Sequence, residues 1–276
     1  MDGYTLCLNG AIAERISFGK KMPNLPMHIF MAKQAAERLD WGFAYDCVGS
    51  FYLGSTAPDI RAMTKWPRDR THFVDLSVQT VGEGARRMFE LHPELAGLSA
   101  LNATTRAFML GYISHLVADE VWITTMFRPH FDPSHPESRV TNSESEAHIW
   151  DRALQLELDR RAAEPMEGFA PASQAIDCSD QALEVGFLET EVLLEWRGWV
   201  QGFLGREFTW ERLKRALNRM YRDNDDVQTE VDRFIEHMPY SMEKIYEKSP
   251  EEKLDTYQER ALAETIALAR EYLSGA

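Results

Sequence analysis

Residues 102–127 read NATTRAFMLGYISHLVADEVWITTMF, and this stretch carries the longest uninterrupted helical pattern of the chain. Its apolar residues lie nearly all around the helix, which predicts that the helix is buried. Pro129 marks its end. Two polar side chains, His115 and Asp119, interrupt this apolar surface. They are four residues apart, so both leave the same face of the helix.

The rest of the chain repeats this helical periodicity, and the alternating runs typical of strands are scarce. Two stretches without periodicity, 128–142 and 164–180, are predicted loops. We predict an all-α protein. It is divided into an N-terminal extension at 1–21 and one domain at 22–276, a multi-helix bundle. The predicted metal ligands of this domain lie within about 22–151. The other predicted helices are 27–39, 45–53, 77–91, 143–163, 180–205, 209–222, 224–247 and 250–273.

The charge balance excludes several classes of function. The 276 residues contain 30 Lys and Arg against 44 Asp and Glu, a formal net charge of −14. Such an excess argues against broad electrostatic binding to nucleic acid or to an anionic membrane surface. No window approaches the ~18 consecutive apolar residues of a transmembrane segment. Three separated cysteines form no disulfide framework, so we expect a reducing, cytoplasmic compartment.

The pair of His115 and Asp119 has two interpretations. A buried aspartate is costly unless it is paired, hydrogen-bonded or bound to a metal. A structural hydrogen bond between the two side chains explains the spacing as well as a metal site does. Taken alone, the pair favours the structural interpretation.

Three further side chains that can bind metal lie at apolar-flanked positions upstream. Asp59 follows the breaker sequence GSTAP at 54–58, His72 has aromatic and β-branched neighbours, and His28 lies at the start of the first predicted helix. Each has a simpler explanation, as a helix cap or as a half-buried histidine. With His115 and Asp119 they make three imidazoles and two carboxylates, a donor set that suits zinc and similar divalent ions.

Four motifs follow one another along the chain: PNLPMH at 23–28, GSTAPDI at 54–60, THF at 71–73 and GYISHLVAD at 111–119. Each motif is weak alone, but the ordered set resembles the zinc-dependent phospholipase C family, whose wider relatives include single-strand-specific fungal nucleases. The resemblance covers residues 22–127. It implies an all-helical fold with a metal cluster in a cleft between helices.

The resemblance also implies a role for each residue. Asp59, His72, His115 and Asp119 match the four ligands of one zinc ion, and Asp119 bridges toward a second ion whose histidine ligand matches His28. In secreted relatives an N-terminal tryptophan also holds that second ion, and this chain has no counterpart of it. We therefore expect one or two divalent ions, with zinc favoured and manganese or iron as alternatives.

A third metal site of the family is matched only weakly. Relatives place a histidine about ten residues beyond the position of His115, where this chain has two threonines. His148 and Asp151 share a predicted helix face and His130 lies in a predicted loop, so these three are weaker candidate ligands. Ordinary surface polarity is the alternative explanation for them.

Four cations lie between Asp59 and His72 in an otherwise acidic chain. They are Arg61, Lys65, Arg68 and Arg70. Arginine side chains match phosphate oxygens in geometry and charge, so this segment is a candidate substrate-binding loop. A solvated surface loop is the alternative.

Together these patterns predict a metal-dependent hydrolase of a small or lipid-like phosphate ester. Asp59, Asp119 and Glu120 are the candidates to accept a proton from a metal-activated water. Two alternatives stay open: a non-catalytic helical protein with a structural metal, and a metal enzyme outside phosphate chemistry. The substrate and the oligomeric state are left open by the sequence.

Overall fold

The computed structural model describes residues 25–135, 137, 139–179, 183–218, 221 and 224–274, and none of these lies in a strand. The predicted all-α class is therefore confirmed. The predicted extension at 1–21 lies outside the described residues, and the division into an extension and one domain stays a prediction.

The helices follow one another in the order α1 (Leu25–Leu39), α2 (Gly42–Asp46), α3 (Val48–Thr56), α4 (Arg61–Thr64), α5 (Asp69–His72), α6 (Glu83–Leu91), α7 (Ala103–Trp122), α8 (Arg128–His130), α9 (Glu144–Ala162), α10 (Ala170–Asp177), α11 (Thr190–Leu204), α12 (Glu211–Leu217), α13 (Asp225–Glu236), α14 (Tyr240–Lys248) and α15 (Glu252–Leu273). Short 3₁₀ turns lie at Ala57–Ile60, Pro93–Leu95 and Leu98–Ala100, and a π-helical turn at Ile123–Phe127 continues α7. Within this described part of the chain, no helix combines the length and the apolar composition that a membrane crossing needs.

Several predicted boundaries differ from the structure. The predicted loop at 164–180 contains α10, which has a proline in its first turn, where a missing N–H is tolerated. The predicted helix at 224–247 is divided into α13 and α14, because Pro239 cannot donate the hydrogen bond that a continuous helix needs. The predicted helix at 77–91 begins only at α6, after Gly82 adopts a left-handed conformation with φ +87°.

Helix α7 lies at the centre of the fold, as its apolar pattern predicts. Every residue from Ala107 to Ala118 is buried. The helix is enclosed by α1, α3 and α15. Polar side chains on α7 consequently face protein atoms rather than bulk water, and each needs a partner there.

The backbones of α3 and α7 are in direct contact where the two helices cross. A Cβ atom at Gly54 would lie 2.0 Å from the carbonyl oxygen of Phe108, and one at Gly111 would lie 2.1 Å from that of Phe51. Any side chain at either glycine would separate the helices. This contact places the last turn of α3 beside the middle of α7.

The first turn of α1 is held by a residue far along the chain. The Met27 amide donates to Oδ1 of Asp159 in α9 over 3.1 Å. Burial raises the pKa of Asp159 to about 8. The contact fixes the start of the helix that carries His28.

We expect Gly111→Ala to lower the free energy of unfolding by about 1–3 kcal/mol or more, because the added methyl group overlaps backbone atoms of α3. Gly198→Ala in α11 is the matched control, since an added Cβ there meets nothing within 4 Å. The control should be neutral or stabilising by up to about 1 kcal/mol. Urea denaturation measures both, and equal stability of the two variants would contradict the close contact.

We expect Asp159→Asn to gain stability relative to the wild type as the pH rises. The pKa is raised from 3.8 to about 8 by burial, so between these values the folded protein keeps a proton that the unfolded chain has released. Wild-type stability therefore falls across this window, by up to about 1.4 kcal/mol for each pH unit. Asparagine cannot titrate but keeps an oxygen for the Met27 amide. Urea denaturation at several pH values measures the difference, and parallel pH profiles would refute the expectation.

Candidate metal centre

The five side chains singled out as main candidate ligands meet at one point of the fold. His28 comes from α1, Asp59 from the 3₁₀ turn after α3, His72 from the end of α5, and His115 and Asp119 from α7. The turn and α5 are short elements that bring distant parts of the sequence onto α7. The meeting point lies beside the crossing of α3 and α7.

Distances among the donor atoms suit a shared metal ion. Nε2 of His72 lies 3.2 Å from Oδ2 of Asp119 and 3.9 Å from Oδ1 of Asp59, and Nε2 of His115 lies 3.9 Å from Oδ2 of Asp119. Oδ1 of Asp119 lies 3.5 Å from Nε2 of His28. Donor atoms about 2 Å from one ion are separated by such distances.

The orientation of the imidazoles also fits a metal. Nε2 of His72 and Nε2 of His115 are buried and have no hydrogen-bond partner among the described residues. On the other side of its ring, Nδ1 of His115 lies 2.8 Å from the carbonyl oxygen of Ser55. Because a carbonyl only accepts, Nδ1 carries the proton and Nε2 presents its lone pair to the site. Nδ1 of His72 lies 3.1 Å from the hydroxyl of Thr71.

Burial keeps the three imidazoles neutral, which is the form that binds metal. It lowers the pKa of His28 to about 3 and holds the pKa of His72 well below its ordinary value. It also lowers the pKa of His115. The rings of His28 and His115 stack with centroids 3.7 Å apart and an interplanar angle of 16°. Two protonated rings would repel each other in this arrangement.

The pKa values of Asp59 and Asp119 are shifted in opposite directions. Burial raises the pKa of Asp119, but Arg68 together with the neighbouring His72 and His115 lowers it by more, so that this pKa lies well below its ordinary value. Nη2 of Arg68 donates to Oδ2 of Asp119 over 2.7 Å. Burial and then the charge of Asp119 raise the pKa of Asp59 to about 6. At neutral pH Asp119 therefore stays ionised, whereas Asp59 is close to its titration range.

A cavity lies beside the candidate ligands and is lined by His28, Asp59 and Asp119 among others. Glu120, expected to be a candidate proton acceptor, does not line it. Its two carboxylate oxygens accept hydrogen bonds from the backbone amides of Gly82 and Gly84 at the start of α6. Burial raises its pKa to about 7. The side chain anchors the segment before α6, since both of its oxygens are occupied there.

Only one of the four cations predicted to bind substrate, Arg68, lines the cavity. Nε of Arg61 donates to the carbonyl of Trp66 over 3.3 Å, and Nζ of Lys65 donates to the carbonyl of Ala62. These two side chains bind the backbone of their own loop. Their contacts fix the conformation of the loop that presents Arg68.

Arg70 is engaged away from the cavity. Its Nη2 lies 3.2 Å from Oε1 of Glu189, and its guanidinium carbon lies 3.4 Å from the ring centre of Trp66. This ion pair and cation–π contact tie the loop to the start of α11. The sequence gives no signal for this pairing, since the partners are 119 residues apart.

Two of the weaker candidate ligands have other partners. Nε2 of His130 lies 3.2 Å from Nζ of Lys253, and Nδ1 of His148 lies 2.5 Å from the hydroxyl of Tyr221. Neither histidine lines the cavity on whose walls His28, Asp59 and Asp119 lie. The structure therefore does not bring them to the site.

The third weaker candidate, Asp151, does line this cavity. Its Oδ1 accepts from Nε1 of Trp122 and its Oδ2 from Nε2 of Gln155, each over 2.9 Å. The spacing of Asp151 and Gln155 by four residues along α9 places both on one helix face. The sequence analysis placed Asp151 with His148 on one helix face, whereas the four-residue spacing to Gln155 indicates the contact that forms.

The cavity is small, with a volume of about 70 Å³, and its walls come from both halves of the chain. His28, Asp59 and Asp119 lie on its walls together with Asp151. Tyr257 of α15 also lines it, and the Tyr257 hydroxyl donates to the carbonyl of Ala118 over 3.3 Å. The last helix thus contributes to the wall beside Asp119.

Comparison with known families assigns the chain to one of them. Residues 27–184 match the family model described as zinc dependent phospholipase C, whereas curated proteins and solved structures give no significant match. The matched residues are more than half of the chain and include every one of the five converging side chains. The protein belongs to the zinc-dependent phospholipase C family.

Proposed function

We propose that the protein hydrolyses a phosphate ester with a divalent ion, zinc by preference, held by Asp59, His72, His115 and Asp119. The observation that carries this proposal is the pair of buried imidazole nitrogens, Nε2 of His72 and of His115, that have no hydrogen-bond partner among the described residues and face two carboxylates. The family implies metal-dependent phosphodiester hydrolysis, in agreement with this donor set.

The two carboxylates suit different tasks. A bound divalent ion supplies Lewis acidity and lowers the pKa of a water molecule. Asp119 stays ionised beside Arg68, which suits a permanent ligand. Without an ion, burial and Asp119 raise the pKa of Asp59 to about 6, and a bound ion would lower it, so that the carboxylate is ionised and able to accept a proton at neutral pH. We assign the proton transfer to a carboxylate oxygen of Asp59.

Arg68 is the residue we assign to the phosphate group. Its side chain is 12% exposed, and its Nε is buried without a partner among the described residues. Guanidinium donors bind phosphate oxygens with good geometry, and burial strengthens the interaction. The cavity of about 70 Å³ has room for only a small group, and we assign it to the phosphate. The rest of a lipid-like ester would remain outside it.

We expect His115→Ala to lose most of the bound zinc, because it removes the one lone pair that the Ser55 contact orients into the site. Since metal binding stabilises the folded state, zinc should raise the melting temperature of the wild type and not of the variant. Elemental analysis after dialysis and thermal denaturation with and without zinc measure both effects. His135→Ala is the control, as His135 is 51% exposed. Unchanged zinc content in His115→Ala would contradict the proposed centre.

We expect the zinc-loaded wild type to cleave a chromogenic phosphodiester and Asp59→Asn to reduce kcat at saturating zinc by roughly 10²-fold or more. The loss follows from the removal of the proposed proton acceptor. Asp232→Asn, a surface carboxylate paired with Lys214, is the control and should match the wild type. Phosphomonoesters, and manganese or iron in place of zinc, complete the panel. A metal-replete wild type that cleaves no substrate of the panel would favour a structural metal instead.

A further inference from the structure

We infer that Arg68, rather than a second metal ion, supplies the further positive charge at Asp119, so that the centre holds one divalent ion and one guanidinium on the same carboxylate. The inference rests on the proposed function, since it concerns the same site. It deepens that proposal by fixing the number of ions and the source of the second positive charge.

The donor atoms of the described residues suffice for one ion. Two groups of potential ligands are present, His28 with Asp59 and His115, and His72 with His115 and Asp119. Both groups need His115. Its Nδ1 is committed to the Ser55 carbonyl, so Nε2 is its only free donor atom, and one lone pair serves one ion.

A second ion would therefore have few ligands left. Once Asp59, His72, His115 and Asp119 hold the first ion, His28 is the only one of the five side chains left, and the second oxygens of the two carboxylates would have to be shared with the first ion. Zinc sites in proteins use three or four side-chain ligands. Among these groups, within the part of the chain that the structure describes, a second ion would have one unshared side chain, which falls short of that number.

Arg68 already occupies the position of a cation at this carboxylate. Its Nη2 lies 2.7 Å from Oδ2 of Asp119, the oxygen that also lies 3.2 Å from Nε2 of His72. The guanidinium is close enough for its charge to act on all five candidate ligands. It is thus placed to share the carboxylate with an ion held by the histidines.

The charges of the site agree with this arrangement. Asp59 and Asp119 balance one divalent ion, and Arg68 then leaves a single positive charge facing an incoming phosphate. A second divalent ion would add two charges. The next carboxylate on the cavity wall, Asp151, already accepts hydrogen bonds from Trp122 and Gln155 with its two oxygens.

A different role for Arg68 makes the opposite prediction. If the guanidinium only orients Asp119 as a ligand, its removal should weaken zinc binding about 10–100-fold, as loss of such outer contacts usually does. If it substitutes for an ion, its removal relieves repulsion on the bound ion and frees the carboxylate. Zinc should then bind more tightly.

Zinc titration of the full-length protein distinguishes these roles without an activity assay. A competing chromophoric chelator gives the affinity, and elemental analysis gives the number of ions per chain. We expect one zinc per chain in the wild type. Arg68→Gln should bind zinc at least threefold more tightly, still as one ion per chain. Arg68→Lys keeps the charge and should resemble the wild type.

Inorganic phosphate supplies the second measurement. Calorimetry on the zinc-loaded proteins should show at least tenfold weaker phosphate binding in Arg68→Gln, with a smaller loss in Arg68→Lys. Circular dichroism and thermal denaturation establish that both variants are folded.

Three results would overturn the inference. They are two zinc ions per wild-type chain, weaker zinc binding in Arg68→Gln, and a variant whose zinc affinity and number equal those of the wild type. If one of these results is obtained and His115→Ala still loses its zinc, the inference on Arg68 fails but the proposed hydrolytic centre stands.

Discussion

The contact between the backbones of α3 and α7 is the constraint on which the rest of the site depends. Because Gly54 and Gly111 have no side chains, the carbonyl of Ser55 comes within 2.8 Å of Nδ1 of His115. That one hydrogen bond fixes the tautomer of the histidine and the direction of its lone pair. The same approach brings the turn that bears Asp59 onto α7.

The centre concentrates groups that destabilise a folded protein unless a ligand is bound. Three buried imidazoles, two with stacked rings, and two neighbouring carboxylates replace what could have been apolar packing. Buried ionisable groups without full compensation reduce the stability of the folded state. Arg68 compensates part of this charge within the chain itself, and a divalent ion would compensate the remainder.

The sequence predicted features that depend on local spacing and missed those that depend on distant partners. The four-residue spacing of His115 and Asp119 indicated a shared helix face, and the apolar surroundings indicated burial. The hydrogen bonds of Glu120 could not be predicted in this way, because its partners are backbone amides 36 and 38 residues away. The four cations between Asp59 and His72 looked alike in sequence. In the structure Arg61 and Lys65 bind carbonyls of their own loop, and Arg70 contacts Trp66 and Glu189, whereas Arg68 reaches the cavity.

The hydroxyl of Tyr257 links the end of the chain to the ligand-bearing helix. The family match ends at residue 184, but Tyr257 contacts the carbonyl next to Asp119 and forms part of the cavity wall. During synthesis the residues of the centre leave the ribosome long before this tyrosine. The wall of the cavity beside Asp119 therefore forms only after Tyr257 has been synthesised and α15 has packed against α7.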